Sequence, residues 1–205
     1  MARLPPLALL SSGIESPLPS TVFLLSPANL SGKRGQMVLD PKSDFELARQ
    51  LSSSAGAPLA AVFSFVSGLY FRGKVMYAER FGSAPEGLPS ALVISAGGGL
   101  CRLDEPVTPA RLRQWASVAV DDRNPHFTAP LQRHAAALFD ERDAATRFVL
   151  LGSVASAKYS LPLREIFGQR LLFPAKFAGL GDMSRGSLML RAARDGEELL
   201  YAPVR

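Results

Sequence analysis

The sequence predicts a mixed α/β domain, a single β-sheet flanked by helices, and three observations carry that prediction. Short continuous apolar runs recur at Thr21–Leu25, Leu92–Ile94 and Phe148–Leu151, the pattern of strands buried on both faces. Between them lie segments with apolar residues at helical spacing. Small, polar turns follow the strands directly, and strands that alternate with helices make a mixed sheet the expected class. The chain has 205 residues, 47% of them hydrophobic, which suits one compact domain. A flexible tail over residues 1–20 and a single domain over 21–205 is the expected division.

In chain order, the strand Thr21–Leu25 ends at Ser26-Pro27-Ala28-Asn29, and Leu30–Gly35 reads as a loop carrying Lys33 and Arg34. Phe45–Leu51 reads as a short amphipathic helix with Ser43 or Asp44 as its N-cap. Leu59–Val66 is apolar enough for a strand or a buried helix, and both remain open. Ser67–Lys74 then sets two aromatics and two cations between glycines. The strand Leu92–Ile94 enters the turn Ser95–Leu100, where Gly97, Gly98 and Gly99 permit a bend that other residues resist. Thr108-Pro109 opens a helix containing Leu112 and Trp115, and Pro130–Phe139 is a second. Phe148–Leu151 runs through Gly152–Tyr159 into a helix ending near Phe167, and Arg170–Phe173 is extended. The polar knot Gly179–Gly186 is expected to lead into a strand at Leu188–Arg191 that pairs with Leu199–Tyr201.

Composition narrows the function classes. No apolar run approaches the roughly 20 residues that span a bilayer, so no membrane partner is expected. The first ten residues carry too short an apolar core for a secretory signal. Cys101 is the only cysteine, which forbids an intrachain disulfide and favours a reducing, cytoplasmic location. With one thiol and two histidines, His126 and His134, no metal site is expected, and no cofactor either. The formal net charge is +5 and the pI near 9.7, an argument for an anionic partner, whether small molecule, nucleotide or nucleic acid. The excess is spread along the chain without a basic run, so a solvated surface accounts for it as well.

Each polar turn offers candidates. Lys33 and Arg34 sit among small residues that could cradle an anion, but the stretch lacks P-loop spacing. Gly98 and Gly99 follow a strand without the dinucleotide-binding spacing. Lys158 and Tyr159 lie just past a strand end, where a lysine can hold a phosphate or form a Schiff base and a tyrosine can serve as acid or base. Asp182 and Arg185, three apart, could pair with each other or clamp a ligand. No nucleophile elbow is present, so a Ser-His-Asp triad has no support, and Cys101 reads as a small core residue.

Taken in order, the motifs Leu25–Asn29, Phe65–Gly73, Val93–Leu100 with Leu103-Asp104, Val154–Tyr159 and Met183–Met189 resemble those of the YaaA family of peroxide-stress proteins. The chain looks like a divergent, shortened member. The resemblance implies a mixed α/β fold with a basic cleft, DNA binding partly through a helix-hairpin-helix element, and protection against peroxide. This chain departs from the family in its short interval between the first two motifs, Leu30–Ser64, where that element would lie. It also carries Asn29 for a family lysine, Lys158 for a glutamate and Gly97-Gly98 for a Leu-Tyr pair.

Two expectations follow. In the first, the turns assemble one cleft for an anionic, nucleotide- or nucleobase-type ligand. Ser26, Asn29, Lys33, Arg34, Tyr70, Arg72, Lys74, Ser95, Gly98, Gly99, Ser153, Ser156 and Arg185 would bind it, with Lys158, Tyr159 and Asp182 as chemical groups should the cleft be catalytic. In the second, the protein is a non-catalytic DNA-binding protein of the peroxide-stress response. Whether it is an enzyme, and its oligomeric state, the sequence leaves open.

Overall fold

The computed structural model describes residues 19–140 and 145–205. The predicted N-terminal tail therefore lies almost wholly outside the described residues. In chain order the elements are β1 (Thr21–Leu25), α1 (Lys33–Leu39), α2 (Glu46–Ser52), β2 (Ala57–Pro58), α3 (Leu59–Ser67), α4 (Leu69–Phe81), β3 (Ala91–Ser95), β4 (Gly99–Arg102) and β5 (Pro106–Val107). They continue with α5 (Pro109–Ala116), α6 (Pro125–Asp140), β6 (Arg147–Leu151), α7 (Ala157–Phe167), β7 (Leu171–Pro174), α8 (Asp182–Asp195) and β8 (Tyr201–Pro203).

The main sheet has six strands in the order β4-β3-β1-β6-β7-β8. Its four central strands run parallel, and hairpin-like antiparallel partners close both edges. Every residue of β1 and β3 is buried, because helices cover both faces of the sheet. Phe23, Leu25, Val93, Val149 and Leu151 share one core with α1 to α5 and α8. Val22, Leu24, Ile94, Phe148 and Leu150 share the other with α6 and α7. Alternate residues of the same strands thus build two separate cores, as the two-residue pleat requires.

The chain leaves β1 across the first face and reaches β3, yet leaves β6 through α7 on the second face and reaches β7 on the opposite side. Adjacent strands β1 and β6 therefore send their connections apart. Doubly wound sheets open a crevice at that place, beyond the carboxyl ends of the strands.

Several predicted elements change. Leu188–Arg191 is not a strand but lies within α8, and β8 pairs instead with β7 through Phe173 and Ala202. Leu188, Met189 and Leu190 are apolar for a helical reason: Arg185, Met189, Ala192 and Ala193 form the buried stripe of α8. The expected loop at Lys33-Arg34 is the first turn of α1. Leu59–Ser67 resolves as helix, as does most of the glycine-bounded stretch to Lys74. Phe45, rather than Ser43 or Asp44, takes the cap position of α2, and α6 begins five residues earlier than Pro130. The Thr108 cap holds as expected, its hydroxyl accepting from the Arg111 amide.

The two helices that matter most to the site, α4 and α8, cross at glycines. A Cβ on Gly73 would stand 2.8 Å from the Gly186 carbonyl oxygen, and one on Gly186 would stand 2.9 Å from the Tyr70 Cα. Only a glycine pair allows this approach. At the other end of α4 a tyrosine network pins the C-terminal edge: the Tyr77 hydroxyl accepts from the Leu199 amide at 2.8 Å and bonds the Tyr201 hydroxyl at 2.8 Å.

Candidate functional site

A cavity of about 410 Å³ opens at the carboxyl ends of β1, β3 and β6. The loop after β1 supplies Ser26 through Ser31, the loop after β6 supplies Ser153, and Ala96 follows β3. Lys158 and Tyr159 come from the first turn of α7, Tyr70 from that of α4, and Asp182 from that of α8. None of these three helices has a side-chain cap at its N-terminus. The first turns of three helices without side-chain caps, each a positive dipole end, therefore contribute to one cavity.

Part of the lining is apolar. Phe63, Trp115, Val118 and Val120 form it, and Trp115 is held from behind by the Arg111 guanidinium, 4.8 Å from its ring. Arg111 is in turn fixed by Glu105 at 2.6 Å. The lining thus combines aromatic and hydroxyl groups.

Lys74 is the most unusual group nearby. It is 1% exposed, and its Nζ donates to the Ser26 carbonyl at 2.8 Å and to Ser26 Oγ at 2.7 Å. The Tyr70 ring lies 3.9 Å from the same nitrogen. Burial pulls its pKa down to about 7, with Asp182 opposing the fall and Arg185 adding to it. Loss of solvation outweighs the three favourable contacts because no carboxylate bonds the ammonium. Ser26 Oγ donates onward to the Leu151 carbonyl at 3.3 Å, linking β1 to β6. Gly152 makes the room: a Cβ there would stand 3.1 Å from Ser26 Oγ.

The Tyr70 hydroxyl is buried without a hydrogen-bond partner in bonding geometry. Burial pushes its pKa up, while the neighbouring Arg185 and Ser26 pull the other way. Tyr159, also buried, is held above the ordinary tyrosine range by desolvation. Both phenols stay protonated at neutral pH. Arg185 is 6% exposed; it reaches Asp182 at 3.6 Å and donates from Nε to the Phe177 carbonyl at 3.3 Å. The pairing of Asp182 with Arg185 thus leaves the carboxylate at the cavity wall.

The structure gathers Ser26, Asn29, Tyr70, Ser153, Lys158, Tyr159 and Asp182 around the cavity, with Lys74 and Arg185 directly behind them. It does not bring in the others. Lys33 and Arg34 are exposed on α1, where Arg34 donates to the Phe65 carbonyl at 3.4 Å, and Arg72 faces outward from α4. Ser156 caps the backbone end of α7 with its side chain exposed. Ser95 is fully buried beneath the cavity, bonded to the Gly99 carbonyl at 3.2 Å and 3.5 Å from Cys101 Sγ. Burial raises the Cys101 thiol pKa, so it packs rather than reacts. Gly98 and Gly99 serve packing: a Cβ on Gly98 would stand 2.9 Å from the Trp115 ring, and one on Gly99 would stand 2.7 Å from His134 Nδ1.

The apolar half of the cavity escaped the sequence reading. Trp115 carries a signal, as the single tryptophan, but the sequence places it only within a helix beside Leu112. Val118 and Val120 carried none. No metal-holding cluster of His, Cys, Asp or Glu occurs among the described residues, and no helix among them is long and apolar enough to cross a membrane. Comparisons with protein-family models, curated proteins and solved structures return no match to this chain.

Proposed function

We propose that the crevice between β1 and β6 binds a small anionic ligand with a planar aromatic part, of nucleotide or nucleobase type. The observation that carries this reading is that three helix starts without side-chain caps, Lys158, and the aromatic rings of Phe63 and Trp115 line one cavity. Amide donors at helix starts favour a phosphate or carboxylate, and an aromatic wall favours a stacked base. The location at the strand switch supports the same reading, as does the YaaA-like order of the motifs, four of which contribute residues to the lining.

Duplex DNA is the second reading. It is favoured by the exposed cations Lys33 and Arg34 on α1 and Arg72 on α4, and by the pI near 9.7. Its affinity would fall steeply with salt as counterions are released.

Isothermal titration with nucleoside monophosphates and a DNA duplex separates the two. The cavity reading expects a monophosphate to bind, with Lys158→Ala and Trp115→Ala each weakening it about tenfold or more, on the order of 1.4 kcal/mol. Duplex binding unchanged by those two substitutions, with no monophosphate bound, would overturn it in favour of DNA.

A further inference from the structure

We propose that Ser26 and Lys74 form a nucleophile and general-base pair, with Tyr70 as donor to the developing oxyanion, and that the cavity supports hydrolysis of carboxylic esters. The inference goes beyond the binding proposed above and does not depend on the ligand being a nucleotide.

Its basis is geometric. Ser26 lines the cavity, and its Oγ stands 2.7 Å from Lys74 Nζ, within the reach a base needs to take a hydroxyl proton. A second bond, from Nζ to the Ser26 carbonyl at 2.8 Å, fixes the amine in place. When Lys74 is neutral, an N–H still donates to the carbonyl, and the lone pair takes the Oγ proton once the hydroxyl turns from the Leu151 carbonyl toward the nitrogen. The aromatic faces of Tyr70 and Phe71, 3.9 and 5.5 Å away, keep water from the nitrogen. The charged groups that act on it come from α8, Asp182 raising its proton affinity and Arg185 lowering it; β1 presents none. Burial leaves the amine with a pKa of about 7, able to accept a proton at neutral pH. Tyr70 supplies the third part: the residue lines the cavity, and its buried hydroxyl lies beside Ser26 and Arg185 with neither in bonding geometry. A donor left unpaired in this way is arranged for an oxygen that arrives with the substrate.

The step balances as follows. Ser26 Oγ attacks the ester carbonyl carbon and its proton passes to Lys74 Nζ, while the carbonyl oxygen, now carrying the charge, accepts from Tyr70. The tetrahedral centre collapses, the bond to the alcohol oxygen breaks, and that oxygen takes the proton from Lys74. Water then adds to the acyl carbon, gives its proton to Lys74, and the Oγ–carbon bond breaks as Oγ recovers that proton. The net reaction is ester plus water to acid plus alcohol.

Phenylmethanesulfonyl fluoride is a suitable probe, since its ring matches the Phe63 and Trp115 wall and its sulfur reports serine nucleophilicity with loss of fluoride. On the full chain, peptide mass mapping should find one sulfonyl group, on Ser26. The labelling rate should rise through a pH of about 7 and level off above it, and Lys74→Met should slow it about 100-fold or more. Ser26→Ala should abolish it with the far-ultraviolet spectrum unchanged. If Lys74→Met does not fold, the wild-type pH profile decides alone. Absence of label on Ser26 at pH 9, or a rate flat from pH 5 to 9, would overturn the assignment and leave Lys74 as a strand-end brace. Neither outcome touches the monophosphate titration.

Discussion

Replacing Gly186 by alanine should lower the melting temperature by roughly 4–12 °C, corresponding to about 2–3 kcal/mol for a domain of this size. The sign is not obvious from propensity, because alanine is the better helix former by about 1 kcal/mol. Packing decides it. The added Cβ would stand 2.9 Å from the Tyr70 Cα and 3.1 Å from the Leu69 carbonyl oxygen, and both are backbone atoms of α4 that no rotamer change can move aside. The helices must part, and α4 carries Tyr70 and Lys74 while α8 carries Asp182 and Arg185. Ligand affinity should therefore fall together with stability. Gly181→Ala is the matched control: a Cβ there meets nothing within 4 Å, and a loss of only a few tenths of a kcal/mol is expected at that cap position. Equal melting temperatures for the Gly186 variant and the wild type, measured by calorimetry, would show that the seam is looser than the structure has it.

Lys74 should give the protein a pH dependence in the alkaline direction. In the unfolded chain its ammonium keeps its proton to about pH 10.5, whereas in the folded chain it gives it up near 7. Between those values the unfolded state binds more protons, so raising the pH favours folding. Below about 7 both states are protonated and the contribution is constant. From pH 7.5 to 9.5 the wild type should gain about 2–3 kcal/mol relative to Lys74→Met, at roughly 1.4 kcal/mol per pH unit. Urea unfolding of both proteins at pH 5.5, 7.5 and 9.5 measures it. Parallel stability profiles would mean that Lys74 stays charged in the fold.

The central sheet was legible because its strands are buried on both faces. Thr21–Leu25 and Arg147–Leu151 have no polar side to confuse with a helix, and the turns after them are the polar breaks on which the sequence reading relied. Glycine misleads at two places. In sequence Gly73 and Gly186 read as breaks between segments, yet each sits inside a helix where two backbones touch, a requirement set by a partner over 100 positions away. Leu188–Leu190 then read as a strand, since three apolar residues in a row fit either period. Among the candidates, Lys158 and Asp182 could be found from their place after turns. The state of Lys74 could not. A lysine between aromatics on a helix resembles any amphipathic cation, and only the folded arrangement turns its nitrogen onto Ser26 rather than toward solvent. The aromatic wall was hidden for the same reason, because Trp115 reaches the cavity only through the packing of α5 behind β3 and β4.

The switch-point cavity is the ligand site of this account, and amide NMR tests that most directly. Titration of the ¹⁵N-labelled protein with a nucleoside monophosphate should shift the amides of Asn29, Ser31 and Ser153 together with the Trp115 indole N–H, all at the cavity lining. Shifts confined to the amides around Lys33, Arg34 and Arg72, or shifts seen only with duplex DNA, would contradict it.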